Sequence, residues 1–421
     1  MERQKDKQKL RSGFTTGTCG AAAAKAAACW FFKQEVDRVT LMTPKGIEAV
    51  FSAEKRLEEG QTWFAVQKDA GDDPDVTDKS WIYASVRPCK KDELARVPET
   101  WYQSGEYPFL FLTGGTGIGM VTKPGLSCPV GKHAINPVPR SMIFQAVGQV
   151  MEEAGEQIPC LISIKIPEGV ELAAKTFNPR LGIEGGISIL GTSGIVEPMS
   201  ERALLDTIRL EIHMKAEAGE KSLILTPGNY GERFLKEELG LSLKTAVTCS
   251  NFVADAIESA AKERIGRVLF VGHVGKLIKV AGGVRNTHSK YGDRRMEIMA
   301  ECMETCGQES GNVQGEKENG AEESGEKLVP LRNGVSEQEW IARIEKIKLS
   351  NTTEEALEHL ESWGWRDLVM QQAVNKIWQQ MNRWAEGKVQ VEVVTFSTVY
   401  GILGKSKNSM AMIEEWRTKD L

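Results

Sequence analysis

The sequence has no long apolar run, and none of its hydrophobic stretches approaches the ~18–20 residues that a membrane span requires. It has only five histidines, and it contains neither a CxxC pair nor an HExxH motif, so we expect no metal site in the protein. The polar opening, MERQKDKQKL, does not have the apolar core of a secretory signal. These absences exclude an integral membrane protein and favour the cytoplasm, with the eight cysteines as free thiols.

Charge of both signs is present in nearly equal amounts, with 53 basic and 58 acidic residues and a net charge of −5. This balance argues against nucleic acid as a partner. The distribution is uneven, because residues 304–326 contain seven Glu and one Lys, whereas residues 273–295 contain six Lys or Arg and one Asp. We expect the basic window to meet a small anionic ligand, and a solvated basic face is the alternative.

Residues 1–218 predict an α+β domain. The alanine-rich segment CGAAAAKAAACWFF predicts a helix capped by Thr18, and the alternating segments that follow it predict antiparallel strands. Two Gly-rich stretches, GGTGIG (114–119) and LGIEGGISILGTSG (181–194), are expected to face the substrate, although a structural turn explains GGTGIG equally well. Ser200 can cap the next helix.

Residues 219–421 predict an α/β domain with a mostly parallel, Rossmann-like sheet, since an apolar strand, a turn and a helix recur in that order. Parallel sheets bind ligands at the carboxyl ends of their strands. The turns at Gly228–Gly231, Ser250–Asn251 and Gly272–Gly275 are therefore expected to lie side by side. The Gly- and Glu-rich stretch 307–335 predicts a disordered insertion in this domain.

Two segments resemble phosphate-binding loops but do not fit the patterns in full. GGTGIG is followed by Pro124 and Gly125, where a dinucleotide fingerprint requires a helix to begin. Gly125 to Lys132 has five residues between Gly125 and Gly131 instead of four, and His133 stands where a P-loop requires Ser or Thr. Neither segment is expected to bind a nucleotide phosphate in the usual way.

Three features have both a functional and a structural interpretation. His273 follows a predicted strand and His288 lies in the basic window, so each is a candidate acid, base or ligand contact or a hydrogen-bonded structural residue. AGDDPDVTD (70–78) most simply predicts a turn, and a ligand or ion site is the second interpretation. TTGT (15–18) suits an anion at a helix start, and a simple cap explains it equally well.

Several long and unusual segments stand in a fixed order over about residues 11–300. They are RSGFTTGTCGAAAAKAAA, KDAGDDPDVT, LTGGTGIGMVTKPGLSCPVGKHAINPVPRSMI, FNPRLGIEGGISILGTSGIVEPMS, TPGNYG and VGHVGKLIKVAGGVRNTHSKYGDRRMEI. Together they resemble the CbiD family, the cobalt-precorrin-5B C1-methyltransferases of anaerobic cobalamin biosynthesis. The stretch 307–335 departs from the usual length of that family but lies outside all of these segments.

The resemblance implies a methyl transfer from S-adenosylmethionine to C1 of cobalt-precorrin-5B, which gives cobalt-precorrin-6A. It implies that cobalt enters only as part of the tetrapyrrole substrate, and that other enzymes of the pathway are further candidate partners. Because the methyl donor is already activated, the protein must mainly position the two reactants and exclude water. The substrate carries several carboxylates, which Arg, Lys and helix starts suit.

We place S-adenosylmethionine at the predicted strand ends, at Gly228, Asn229, Tyr230, Gly231, Ser250, Asn251, Gly272 and Gly275. The candidate substrate contacts are Thr15, Thr16, Thr18, Lys123, Arg140, Lys276, Arg285 and His288, and His273 is the candidate base or tetrapyrrole contact. The turns do not have the acidic residue and GxG of common Rossmann methyltransferases. Ribose recognition by neutral groups and a pocket elsewhere in the chain therefore both stay open.

Two other functions fit the same predicted fold. A nicotinamide-dependent reductase would also use an α/β crevice, but the sequence has no GxGxxG with the required helix. A non-catalytic tetrapyrrole carrier would use the basic window as its binding face and would release the ligand unchanged.

Overall fold

A computed structural model describes residues 10–33, 36, 38–58, 60–308 and 334–419. The chain separates into two compact units, Met1–Arg202 and Ala203–Leu421. The predicted boundary at 218/219 falls at the other end of the helix that follows Ser200. The predicted insertion at 307–335 lies outside the described residues except at its two ends.

The described part of the first unit is built from short strands and four helices. Its strands are β1 (Gly13–Phe14), β2 (Arg38–Met42), β3 (Glu48–Ser52), β4 (Glu54–Glu58), β5 (Gln61–Gln67), β6 (Trp81–Pro88), β7 (Tyr102–Gln103), β8 (Leu110–Gly114), β9 (Gly117–Ile118), β10 (Met120–Val121), β11 (Cys160–Lys165), β12 (Ile183–Glu184), β13 (Gly186–Ile187) and β14 (Ile195–Val196). Its helices are α1 (Thr16–Lys33), α2 (Lys91–Ala95), α3 (Pro137–Glu153) and α4 (Gly169–Ala173).

A six-stranded sheet with the order β4-β5-β6-β11-β8-β7 supports this unit. All of its neighbouring strands are antiparallel except β8 and β11. Two-stranded pairings join β2 with β3, β1 with β14, β10 with β12 and β9 with β13. The GGTGIG stretch contains β9 and is followed by β10, so the helix that a dinucleotide fingerprint requires does not begin there.

Helix α1 packs between the sheet and α3 with its alanines fully buried. Small side chains let these backbones approach closely, which is why Gly17 touches Pro139 of α3. The predicted cap was wrong by one turn. The helix begins at Thr16, and the amide of Thr18 donates to the hydroxyl of Thr15, which is the capping residue.

The second unit alternates strands with helices. Its helices are α5 (Glu201–Glu217, starting at the end of the first unit), α6 (Asn229–Glu237), α7 (Val253–Lys262), α8 (Val274–Ala281), α9 (Arg295–Gln308), α10 (Glu337–Lys348), α11 (Thr353–Ser362), α12 (Arg366–Ala385) and α13 (Ser409–Lys419). Its strands are β15 (Ser222–Thr226), β16 (Ala246–Thr248), β17 (Arg267–His273), β18 (Gln390–Ser397) and β19 (Gly401–Lys405).

These five strands form one sheet with the order β16-β15-β17-β18-β19, parallel except for the last pair. Apolar side chains cover both faces. Leu223 and Leu225 pack with α7 and α12 on one face, whereas Ile224 packs with α6 and α13 on the other. A sheet buried on both sides explains the continuous apolar strands seen in the sequence.

In the part of the chain that the structure describes, no helix is long and apolar enough to cross a membrane.

The close packing of α1 predicts opposite effects for two neighbouring glycines. A Cβ atom on Gly17 would lie 2.7 Å from Cγ of Pro139, whereas the nearest atom to a Cβ on Gly20 is 3.8 Å away. We expect Gly17→Ala to lower the free energy of unfolding by about 1–3 kcal/mol through overpacking. Gly20→Ala is the matched control and should raise it by up to about 1 kcal/mol through helix propensity. Urea unfolding of both variants tests this, and equal stability of the two would contradict it.

Candidate functional site

The strand order of the second unit places a crevice between the carboxyl ends of β15 and β17. The chain leaves β15 through α6 on one face of the sheet and leaves β17 through α8 on the other face. Where the connections that follow two neighbouring strands diverge in this way, the turns separate and a ligand can bind between them. The two turns are residues 227–229 and 273–275, which overlap the predicted strand ends Gly228–Gly231 and Gly272–Gly275.

Side chains connect these two turns. The Lys276 ammonium donates to the Pro227 carbonyl oxygen at 3.0 Å, and burial lowers the pKa of Lys276. The rings of Tyr230 and His273 lie 6.1 Å apart, and Phe396 of β18 meets the His273 ring edge to face at 5.5 Å. Residues from three strand ends therefore form one cluster with an ammonium group and three aromatic rings.

His273 has a structural task at this edge. It caps α8, since its Nδ1 accepts a hydrogen bond from the Gly275 amide at 3.1 Å. The neutral ring then carries its proton on Nε2, which lies 3.5 Å from Oε1 of Glu354. Burial lowers the pKa of His273, with Glu354 opposing that effect. In this arrangement neither ring nitrogen offers a lone pair to a substrate, so the geometry favours a positioning role over a base.

The start of α6 is open to a ligand. Gly228 precedes the helix at φ +147°, a conformation that favours glycine, and no side chain caps the first turn. Tyr230 is 69% exposed. Beneath the turn, the buried hydroxyl of Thr226 has no hydrogen-bond partner in the described part of the chain. A Cβ on Gly231 would lie 1.6 Å from that hydroxyl, so only glycine fits there.

The remaining predicted cofactor contacts have mainly structural partners. The Asn251 carbonyl oxygen accepts from the Thr287 amide at 2.9 Å, and Ser250 takes a left-handed φ of +53° at the preceding turn. Gly272 allows Leu277 of α8 to pack, because a Cβ there would lie 2.8 Å from its Cγ. Asn251 thus holds Thr287 of the 283–292 loop, and the cofactor role of Ser250 and Asn251 stays a prediction.

The basic window 273–295 uses most of its charges within the second unit. The guanidinium of Arg285 pairs with Glu258, and buried Lys279 donates to the carbonyl oxygens of Thr287 and Gly292. Two further ion pairs join Arg294 with Glu301 and Arg295 with Asp293. His288 accepts from the Lys290 amide at the start of a short 3-10 turn. The window therefore offers a ligand fewer cations than its composition suggests.

In the first unit, the TTGT segment is buried at the start of α1. The Thr15 hydroxyl lies 3.1 Å from that of Thr18, which donates to the Gly194 carbonyl oxygen at 2.7 Å. Thr16 is also buried. These contacts favour the simple cap over an anion site, and substrate binding by the three threonines stays untested.

The other predicted substrate contacts of this unit are more accessible. Lys123 is exposed, with its stem against Gly182. The Arg140 guanidinium lies 4.1 Å from the centre of the Tyr102 ring. Sequence reasoning missed Tyr102 and Lys132, whose ammonium lies 4.8 Å from the same ring. The signal for Lys132 was its place eight residues before Arg140 in GKHAINPVPR.

The aspartate-rich turn satisfies its own carboxylates. Asp75 accepts from buried Lys68 and from Thr77, Asp78 accepts from the Ala70 amide, and Asp72 accepts from the Arg11 amide. The first interpretation, a structural turn, explains all of these contacts. Among the described residues, no group of three or more His, Cys, Asp or Glu side chains is arranged to hold a metal ion.

Comparison with known proteins gives the family. A model of the CbiD family matches residues 3–198, and a model described as the CbiD C-terminal domain matches residues 341–407. Relatives that match along nearly the whole chain agree with these two models, and the chain belongs to the CbiD family.

The relatives have one name in common. Cobalt-precorrin-5B C(1)-methyltransferase from Ruminiclostridium cellulolyticum is 39% identical over 395 residues, which are 93% of this chain and 90% of the relative. The protein of the same name from Alkaliphilus metalliredigens is 37% identical and covers 98% of this chain and 97% of its own. The search of solved structures finds the crystal structure of the cobalamin biosynthesis protein cbiD from Archaeoglobus fulgidus. The two sequences are 25% identical, the matched region is 68% of this chain and 84% of the other, and the TM-score is 0.36.

The capping role of His273 predicts a pH-dependent contribution to stability. Because the folded pKa lies below the ordinary value of 6.5, the unfolded chain binds the proton more tightly. The stability that neutral His273 provides is complete above pH 6.5 and falls as the pH decreases toward the folded pKa. His273→Ala should cost about 1 kcal/mol at pH 7.5 through loss of the cap.

His273→Asn is the control, since its amide oxygen can still accept from the Gly275 amide but does not titrate. Urea unfolding at pH 7.5 and 5.5 should show the wild type losing stability relative to this variant at the lower pH. A difference that does not change with pH, or that changes in the opposite sense, would be evidence against a buried, neutral His273.

Proposed function

We propose that this chain is a cobalt-precorrin-5B C(1)-methyltransferase, which transfers the methyl group of S-adenosylmethionine to C1 of a cobalt tetrapyrrole. The observation that carries the proposal is the extent of the likeness: relatives of that name are 37–39% identical along nearly the whole of both chains. The reductase and the carrier have no comparable support. A cytoplasmic location and association with other enzymes of the pathway stay predictions from the sequence.

We assign S-adenosylmethionine to the crevice between β15 and β17, in a Rossmann-like use of the sheet. When bound, it supplies a methyl group that its positively charged sulfur has already activated. The uncapped start of α6 and the ammonium of Lys276 suit the carboxylate of the methionine part. The exposed ring of Tyr230 suits a flat base.

Glu232 is our candidate for the ribose contact. Common Rossmann methyltransferases use an acid after the second strand, and the sequence shows only Ser250 and Asn251 there. In the structure, Glu232 reaches this position from α6, since its Oε1 accepts from the Thr248 hydroxyl at the end of β16 at 2.5 Å. A carboxylate at that strand end can accept hydrogen bonds from ribose hydroxyls.

The reaction asks the protein mainly for positioning. An activated methyl donor requires the nucleophilic carbon to be held in line and water to be kept out. His273, held between the Gly275 amide and Glu354, is suited to orient a neighbour and not to remove a proton. We therefore retain His273 as a contact that shapes the crevice.

The reaction itself is tested by incubating the protein anaerobically with cobalt-precorrin-5B and S-adenosylmethionine labelled in its methyl group. Mass spectrometry of the corrinoid should show one labelled methyl group, and NMR should place it on C1. The control omits the protein. Binding of the corrinoid without methyl gain would favour the carrier, and a change in mass that depends on NADPH would favour the reductase.

The location of the donor predicts the effect of one exposed side chain. We expect Tyr230→Ala to weaken S-adenosylmethionine binding roughly tenfold, because stacking of a base on an aromatic ring is worth ~1–3 kcal/mol. Since the ring is largely exposed, the variant should fold normally. Lys236→Ala changes an exposed residue of the same helix and should bind like the wild type. Titration calorimetry measures all three, and an unchanged dissociation constant for Tyr230→Ala would move the pocket elsewhere.

A further inference from the structure

The first unit holds two cations on one aromatic ring. The guanidinium carbon of Arg140 lies 4.1 Å, and the ammonium of Lys132 4.8 Å, from the centre of the Tyr102 ring. Both cations are half-buried. Their charges oppose each other, since the pKa of Lys132 is lowered first by burial and then by Arg140. The repulsion between these like charges costs free energy, which a bound anion would offset.

No carboxylate of the described residues compensates these charges at close range. Glu99 acts on Lys132 only from beyond ion-pair distance, and its effect is smaller than that of Arg140. Two other half-buried arginines of the described residues do have such a partner, since Arg87 pairs with Glu93 and Arg366 with Glu361. We call Tyr102, Lys132 and Arg140 the Tyr102 cluster. It concentrates positive charge that no carboxylate in the described part of the first unit neutralises at close range.

Hydrogen bonds to backbone carbonyl oxygens fix two side chains of the Tyr102 cluster. The Tyr102 hydroxyl donates to the His133 carbonyl oxygen at 2.6 Å. Lys132 donates one hydrogen bond to the Trp101 carbonyl oxygen at 2.7 Å, which leaves its other N–H groups for a ligand. Arg140 lies in the first turn of α3, where the helix dipole also favours an anion. A guanidinium fork matches the two oxygens of a carboxylate, and the ammonium of Lys132 on the same ring adds a second charged donor.

We propose that Lys132 and Arg140, held on the Tyr102 ring, form a carboxylate-binding subsite for an acidic side chain of the tetrapyrrole. This inference rests on the proposed function for the identity of the ligand. It adds Lys132 as a residue that determines specificity and gives Arg140 a partner. The carboxylate of S-adenosylmethionine has the same chemistry, so the experiment must separate the two sources.

The probes are cobyrinic acid, a stable cobalt corrin with free side-chain carboxylates, and cobinamide, in which these groups are amides. Absorbance titration of the full-length protein should show tighter binding of the acid. Arg140→Gln and Lys132→Gln should each weaken cobyrinic acid binding roughly 10-fold to 100-fold, since hydrogen bonds between charged groups are the strong ones. Cobinamide binding should stay within about twofold of the wild type.

Controls address folding and the source of the carboxylate. Arg96→Gln and Lys91→Gln remove exposed cations of the same unit and should bind both corrins like the wild type. Arg140→Lys keeps the charge and should recover part of the affinity. Binding of S-adenosylmethionine should be unchanged in Arg140→Gln, and a loss there would assign the carboxylate to the methyl donor and overturn the proposal.

Two other results would also overturn it. One is a wild-type protein that does not prefer cobyrinic acid to cobinamide, and the other is wild-type affinity of Arg140→Gln and Lys132→Gln for cobyrinic acid. Neither result bears on whether the wild type transfers a labelled methyl group to cobalt-precorrin-5B. The subsite and the proposed function can therefore fail separately.

Discussion

The candidate site of the second unit depends on one topological constraint, the position of β15 between β16 and β17. The connection that leaves β15 begins with α6 on one face of the sheet, and the connection that leaves β17 begins with α8 on the other. The turns after these strands diverge for that reason. Gly231 then follows from the need for backbone to lie close to the sheet edge, where Thr226 occupies the space of a Cβ, and Gly228 follows from its φ of +147°.

The position of His273 at the carboxyl end of β17 limits the chemical roles that its ring can take. A histidine that caps a helix must present a lone pair to an amide, and here Nδ1 does so to Gly275. A cation would repel the amino end of α8, so both the helix and burial keep the ring neutral. The resulting donor faces Glu354. A residue fixed in this way is suited to a reaction whose methyl donor is already activated and whose main requirement is orientation.

Local pattern predicted the elements that have strong periodicity. The alternating segments predicted as antiparallel strands include WIYASVRP, which coincides with β6, and the first apolar strand predicted after residue 219 is SLILT, which coincides with β15. The strand-end turns were expected together because parallel strands end at one edge. β19 and α13 were missed because β19 depends on pairing with β18, and α13 packs its apolar residues beside α6. α8 was missed because GHVGK looks like a turn. Partners distant in sequence, such as Glu258 for Arg285, cannot be read from any local window.

The ion pairs of the second unit show why charge composition alone is a weak guide to an anion site. The window 273–295 has an excess of five positive charges, yet Glu258, Glu301 and Asp293 pair with its arginines. An anion gains most where fixed cations have no such partner, because it then replaces repulsion by attraction without breaking an existing pair. Lys132 and Arg140 meet that condition on the Tyr102 ring. Uncompensated charge held by the fold, and not net charge along the chain, is what indicates a binding subsite.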